Sequence, residues 1–156
     1  MTVGSLRRSR SVRAAPFRFA VVFALTAMLT HVDADDGARA AAATFGRALV
    51  AGSAEALRPI LPERGRVHVT LSRLGPEEGL FGARQVEALF RDFLAKGKIA
   101  SFDVMRCESD GRSSALAHGT AAIVDRDGRS GRIGLHLGLE QEAERWVLRE
   151  VKETAE

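Results

Sequence analysis

The stretch "HGTAAIVDRDGRSGRIGLHLGLE", residues 118–140, reads as two alternating strands joined by a tight turn. In "DRDGR", Asp125, Asp127 and Gly128 fit a type I turn followed by a left-handed glycine, which makes a three-residue hairpin loop with a bulge. His118 then lies opposite His136, Thr120 opposite Gly134 and Leu116 opposite Gly138, all on one face. The other face pairs Ala121 with Ile133, Gly119 with Leu135, Ala117 with Leu137 and Ala115 with Leu139. Small residues meet large ones there, as on a concave side that covers a core. A two-residue loop on Asp127-Gly128 would bring His118 level with Leu137 and send His136 to the opposite face. A slip of one residue therefore decides whether a histidine pair exists.

The hairpin belongs to a longer series. "IASFDVMRC", "SALAHGTAAIV", "GRIGLHLGLE" and "RWVLREVKE" are strand candidates separated by the short linkers "ESDGRS", "DRDGRS" and "QEAE". Upstream, "VHVTLSR" alternates Val67, Val69 and Leu71 against His68, Thr70 and Ser72 as a half-buried strand. The segment after it holds turn residues and then an amphipathic helix from about Ala83 to Lys96. Val86, Leu89, Phe90, Phe93 and Leu94 form the apolar stripe, and Gly97 is the stop. Earlier still, Ala42, Phe45 and Leu49 keep helical spacing from Asp35 until Gly52-Ser53. Ser53 is then placed to cap a short second helix through Leu57, which Pro59 and Pro62 end. Helices first and hairpin-linked strands afterwards predict an α+β domain with an antiparallel sheet wrapped over the helices.

The first 34 residues read differently. Arg7, Arg8, Arg10, Arg13 and Arg18 precede an apolar run from Phe19 to Leu29, the layout of a secretory signal peptide, and the run is too short for a membrane-spanning helix. Val32-Asp33-Ala34 places cleavage after Ala34, with Ala38-Arg39-Ala40 as the second choice; an uncleaved anchor is the alternative. The expected organisation is a leader over residues 1–34 and a single domain over 35–156, exported to a bacterial periplasm or the exterior. Removing the leader takes five of 23 Lys and Arg and one of 20 Asp and Glu, which leaves 18 against 19. The basic pI is thus a property of the leader. With no basic block and one Trp without any Tyr, the remaining domain argues against nucleic-acid binding. Cleavage would also leave no membrane attachment. A single cysteine, Cys107, excludes an intrachain disulfide and a cysteine metal cluster, and reads as a small strand residue turned inward.

The order of elements resembles the nuclear transport factor two-like superfamily, which includes SnoaL-like and ketosteroid isomerase-like proteins. The resemblance rests on "FGRALVAGSAEALRPIL", similar to the family's first helix and small-residue break, on "GLFGARQVEALFRDFL", similar to its glycine-led helix, and on "ERWVLREVKE", similar to its closing strand. It runs from about Ala41 to Lys152. It implies a cone-shaped, often dimeric domain with a pocket in many members between the helices and the concave sheet face. Members are enzymes, small-molecule binders or assembly modules. The isomerase-like ones use a carboxylate base with a Tyr and a protonated acid as oxyanion donors. A dehydratase of this kind would combine Tyr with His and Asp. This sequence contains no Tyr.

Asp103, His118 and His136 are the candidate pocket or interface residues. Asp103 alternates with Phe102 and Val104 and faces away from them, the placement of a lone pocket acid or of a solvent-facing strand residue. His118 and His136 could share a metal ion in the first register, with a third ligand from Asp103, Glu140 or a partner subunit. Glu140, Glu142 and Glu144 read as a solvated loop, and Arg84, Arg91 and Lys96 as the wet face of the long helix. There is no Ser-His-Asp grouping, phosphate-binding glycine loop or zinc spacing, so no cofactor or metal is expected. The reading is an exported, non-catalytic domain that binds a small ligand or an envelope protein and forms a homodimer through its sheet. The alternative is an isomerase-like or lyase-like enzyme with Asp103 or His118 as its base.

Overall fold

The computed structural model describes residues 34–73 and 77–154. The leader expected over residues 1–34 lies outside them apart from Ala34, as does His31.

Helix α1 (Ala34–Val50) puts Ala38, Ala42, Phe45 and Leu49 on one buried stripe. It ends as its sequence predicts. Gly52 takes φ +65, the Ser53 N–H donates to the Ala48 carbonyl and the Gly52 N–H to that of Leu49, a paired closure that satisfies two terminal carbonyls. Next comes a 3-10 helix (Ala54–Ile60) that runs past the expected end at Leu57 and includes Pro59. Ser53 stands at its N-cap but makes no side-chain cap bond; only its carbonyl accepts, from the Ala56 N–H.

Strands β1 (Val67–Leu71) and β2 (Glu77–Phe81) form a hairpin, and helix α2 (Ala83–Leu94) follows. The Gly82 N–H donates to Gln85 Oε1 at the start of α2, and Val86, Phe90 and Phe93 are its buried face. Gly97 leads directly into β3 (Gly97–Ser109) instead of capping the helix. Strands β4 (Ser114–Asp125), β5 (Ser130–Glu142) and β6 (Arg145–Thr154) complete a six-stranded sheet in the order β2-β1-β6-β5-β4-β3.

One expectation is corrected here, and one element was unforeseen. The sheet is mixed, because β1 returns beside β6 in parallel; every other pairing is antiparallel. Strand β2 had no sequence signal, since "EEGLF" does not alternate and occupies an edge with one neighbour.

The hairpin of β4 and β5 takes the three-residue loop. Gly128 adopts φ +78 and donates to the Asp125 carbonyl, the Asp125 N–H closes the loop to the Arg129 carbonyl, and Asp125 Oδ1 accepts from the Asp127 and Arg129 amides. His118 is therefore paired with His136. The predicted inner face is buried throughout, from Ala115 to Ala121 on β4 and from Ile133 to Leu139 on β5.

Space between helices and sheet is taken up by side chains. Phe45 meets Phe90 edge-on with ring centroids 5.5 Å apart, and Phe102 at 5.8 Å. Leu49, Leu57, Leu135, Leu137 and Leu148 surround them with 1% exposure or less. Between the helices and the middle of the sheet these side chains pack a core, and a groove stays open at the β3 end. Each such side chain contributes about 1.5–3 kcal/mol by leaving water.

Two glycines accommodate Phe102. A Cβ on Gly46 of α1, or on Gly119 of β4, would collide with its ring. Cys107 is buried, as its strand position implied.

Candidate functional site

With the helices on one side of the sheet, the outer side carries rows of side chains set by the strand registers. The central row runs Arg106, His118, His136, Lys152 and Thr70 across β3, β4, β5, β6 and β1. One row away stand Glu108, Leu116, Gly138, Glu150 and His68; on the other side stand Asp103, Thr120, Gly134 and Thr154. Asp103, His118 and His136 are thus brought to a single face, and it is the outer one.

The two imidazoles touch, with ring centroids 3.9 Å apart and planes at 65°. Burial, then the neighbouring His118 and Lys152, hold the His136 pKa below its ordinary value, with Glu150 opposing. Neutral imidazole is therefore favoured at His136, against the doubly charged pair that full protonation would create. A metal ion here would need a third ligand beside the two imidazoles. Among the described residues no group of three His, Cys, Asp or Glu is arranged to hold a metal ion. Glu140, one of the carboxylates considered for it, accepts from Arg149 Nε at 2.7 Å. His68, which had suggested no cluster, faces Glu150 with Nδ1 to Oε1 at 3.4 Å. The parallel pairing of β1 with β6 makes that contact, and nothing local in the sequence announces it.

Asp103 is exposed and borders a groove of about 600 Å³ between α1 and β3. Ala43, Gly46, Val50, Phe102 and Val104 give the groove an apolar lining, which Arg39 and Arg47 share with Asp103.

A second concavity, of about 590 Å³, opens between the 3-10 helix, α2 and the start of β6. Among its lining residues is Glu87, the buried charged residue of the described chain. Arg58 grips it with two bonds, Nε to Oε2 at 2.8 Å and Nη2 to Oε1 at 2.9 Å, and Arg91 Nη2 adds a third at 2.9 Å. The Arg58 bonds hold the Glu87 carboxyl below the usual carboxylate range, against the opposing effect of burial. Sequence reasoning missed this cluster. Glu87 lies beside Val86 in the apolar stripe of α2, with Arg84 and Arg91 one turn before and after it. That spacing was the available signal.

No family model matches the sequence, and no curated protein matches it. Solved structures do. An NTF-2 like protein of unknown function from Shewanella oneidensis superposes with TM-score 0.59 at 13% identity, over 77% of this chain and 98% of that one. A ketosteroid isomerase-like protein from Erwinia carotovora gives 0.61 at 10%, over 76% and 93%. The chain has the nuclear transport factor two-like fold. A DUF4783 family protein from Bacteroides uniformis shares the fold with TM-score 0.58 at 15% identity, over 73% of this chain and 97% of that one. Identities this low carry the nuclear transport factor two-like architecture and no activity.

Proposed function

We propose that this chain is an exported, non-catalytic domain that works through the outer face of its sheet, pairing there with a second copy of itself. The observation that carries the reading is the composition of that face. Its middle is low and partly apolar, with Leu116 39% exposed opposite Gly138, then the edge-on histidine pair, and Gly134 beyond that pair. Arg106 and Lys152 flank this middle on one row, while Asp103, Glu108 and Glu150 stand on the adjacent rows. A two-fold axis through the face would set the basic row of one copy against the acidic rows of the other, as an isologous interface requires. Sedimentation velocity of the wild type against His136→Glu tests the proposal. A dimer that dissociates in the variant is expected; a wild-type monomer at tens of micromolar defeats it.

Export rests on the arginine-rich, apolar leader. Packing of α1 supports cleavage after Ala34 over cleavage after Ala40, because the later cut would remove the fully buried Ala38 together with Gly37, which lies under Trp146. Mass spectrometry of the N-terminus of secreted protein distinguishes the two.

The enzyme alternative draws on one observation, that Asp103 borders an apolar groove with two arginines. It requires a turnover that Asp103→Asn abolishes.

A further inference from the structure

We infer that the cleft between the 3-10 helix, α2 and β6 binds a small oxyanion, the carboxylate or phosphate group of an organic molecule, with Arg84 and Arg145 as its main contacts. This inference is independent of the dimer proposal. Four guanidiniums line the cleft, from Arg58, Arg84, Arg91 and Arg145, against two carboxylates, from Glu63 and Glu87. They come from three elements separated in sequence, so the convergence is a product of the fold and not of a local run of basic residues.

Structural need accounts for only part of it. A buried carboxylate requires compensation, and the two bonds from Arg58 already supply it for Glu87. Arg91 adds a third bond, which leaves Glu87 little accepting capacity. Arg145 reaches Glu63 Oε1 at 3.1 Å and the Pro59 carbonyl at 3.4 Å, long bonds to an exposed carboxylate and a backbone oxygen. Arg84 is exposed and has no bonding partner among the described residues. Each guanidinium carries five N–H donors, far more in total than Glu63 and Glu87 can accept. The excess donors and positive charge surround one cavity.

Two features shape the preference further. Ala83 and Arg84 begin α2, so the positive dipole end of a twelve-residue helix borders the cleft. Leu61, Pro62 and Ala83 supply apolar lining that suits the carbon body of an organic anion. Glu87 orients Arg58 and Arg91 on the cleft that Arg84 also lines, an arrangement that presents donors to a planar or tetrahedral oxyanion before it arrives.

Isothermal titration of the purified protein with succinate and with inorganic phosphate tests this, in buffer without other multivalent anions. Saturable binding of either is expected, and the tighter of the two identifies the group recognised. Arg84→Gln should weaken it by about tenfold, the loss of one charge-assisted contact. Arg145→Gln should do the same, while Arg145→Lys, which keeps the charge and the fold, recovers part of the loss. Arg47→Gln, on the other groove, should leave it unchanged. Absence of saturation by both probes up to about 50 mM, or equal binding by an Arg84→Gln/Arg145→Gln double variant, overturns the inference.

Discussion

The ring of Phe102 fills the place where a side chain on Gly46 would stand. Alanine in the middle of a helix is ordinarily more stable than glycine by about 0.5–1 kcal/mol. Here the sign reverses. Gly46→Ala is expected to destabilise the domain by about 1–3 kcal/mol through overpacking, read as a lower urea midpoint with unchanged slope. In a Phe102→Ala background the same substitution should become neutral or stabilising, so a double-mutant cycle isolates the contact.

The paired histidines predict a pH dependence of stability. A histidine whose folded pKa is depressed binds its proton more readily when unfolded, so stability is full above about pH 6.5, the ordinary value, and falls as pH drops through it. Urea midpoints at pH 7.5 and 5.5 should show that loss, and His136→Gln should flatten it. An unchanged slope in the variant would place the titration elsewhere.

A second acid transition follows from two carboxylates. Asp110 Oδ1 accepts from the amides of Arg112, Ser113 and Ser114, and those bonds hold its pKa down; Glu87 is held down by Arg58. Their stabilisation is complete above about pH 4.5 and is lost as pH falls through the lowered values. Asp110→Asn should therefore remove part of the drop seen between pH 4.5 and 2.5, without altering the loss near pH 6.

Ala143 turns the corner between β5 and β6 with φ +57, the left-handed region that costs a residue with a Cβ about 1–2 kcal/mol. Its side chain is exposed and the loop is two residues long, between the paired Glu142 and Arg145. Ala143→Gly is expected to raise stability by about 0.5–1 kcal/mol, measured as a higher melting temperature.

The hairpin that determines the sheet was legible because its turn chemistry is local: Asp125 and Gly128 fix the loop, and the loop fixes which histidine faces which. The apolar stripes of α1 and α2 were legible for the same reason, since period and burial coincide. What escaped depends on chain path. The parallel contact of β1 with β6 joins His68 to Glu150 across most of the sequence, and β2 is held by one neighbour without a pattern of its own. Arg84 and Arg91 read as an ordinary solvated helix face, and only the fold brings Arg58 of the 3-10 helix and Arg145 of β6 beside them. Glu87 was hidden by its place among apolar neighbours.

Strand β3 is an edge of the sheet, thirteen residues long, and its register with β4 shifts twice, between Ile99 and Ser101 and between Val104 and Arg106. Ala100 and Met105 are the extra residues, and Met105 is 70% exposed. Each shift breaks the even line of backbone donors and acceptors that another chain would need in order to add a strand. The same irregularity therefore guards against fibril-like growth along the β3 border of the sheet.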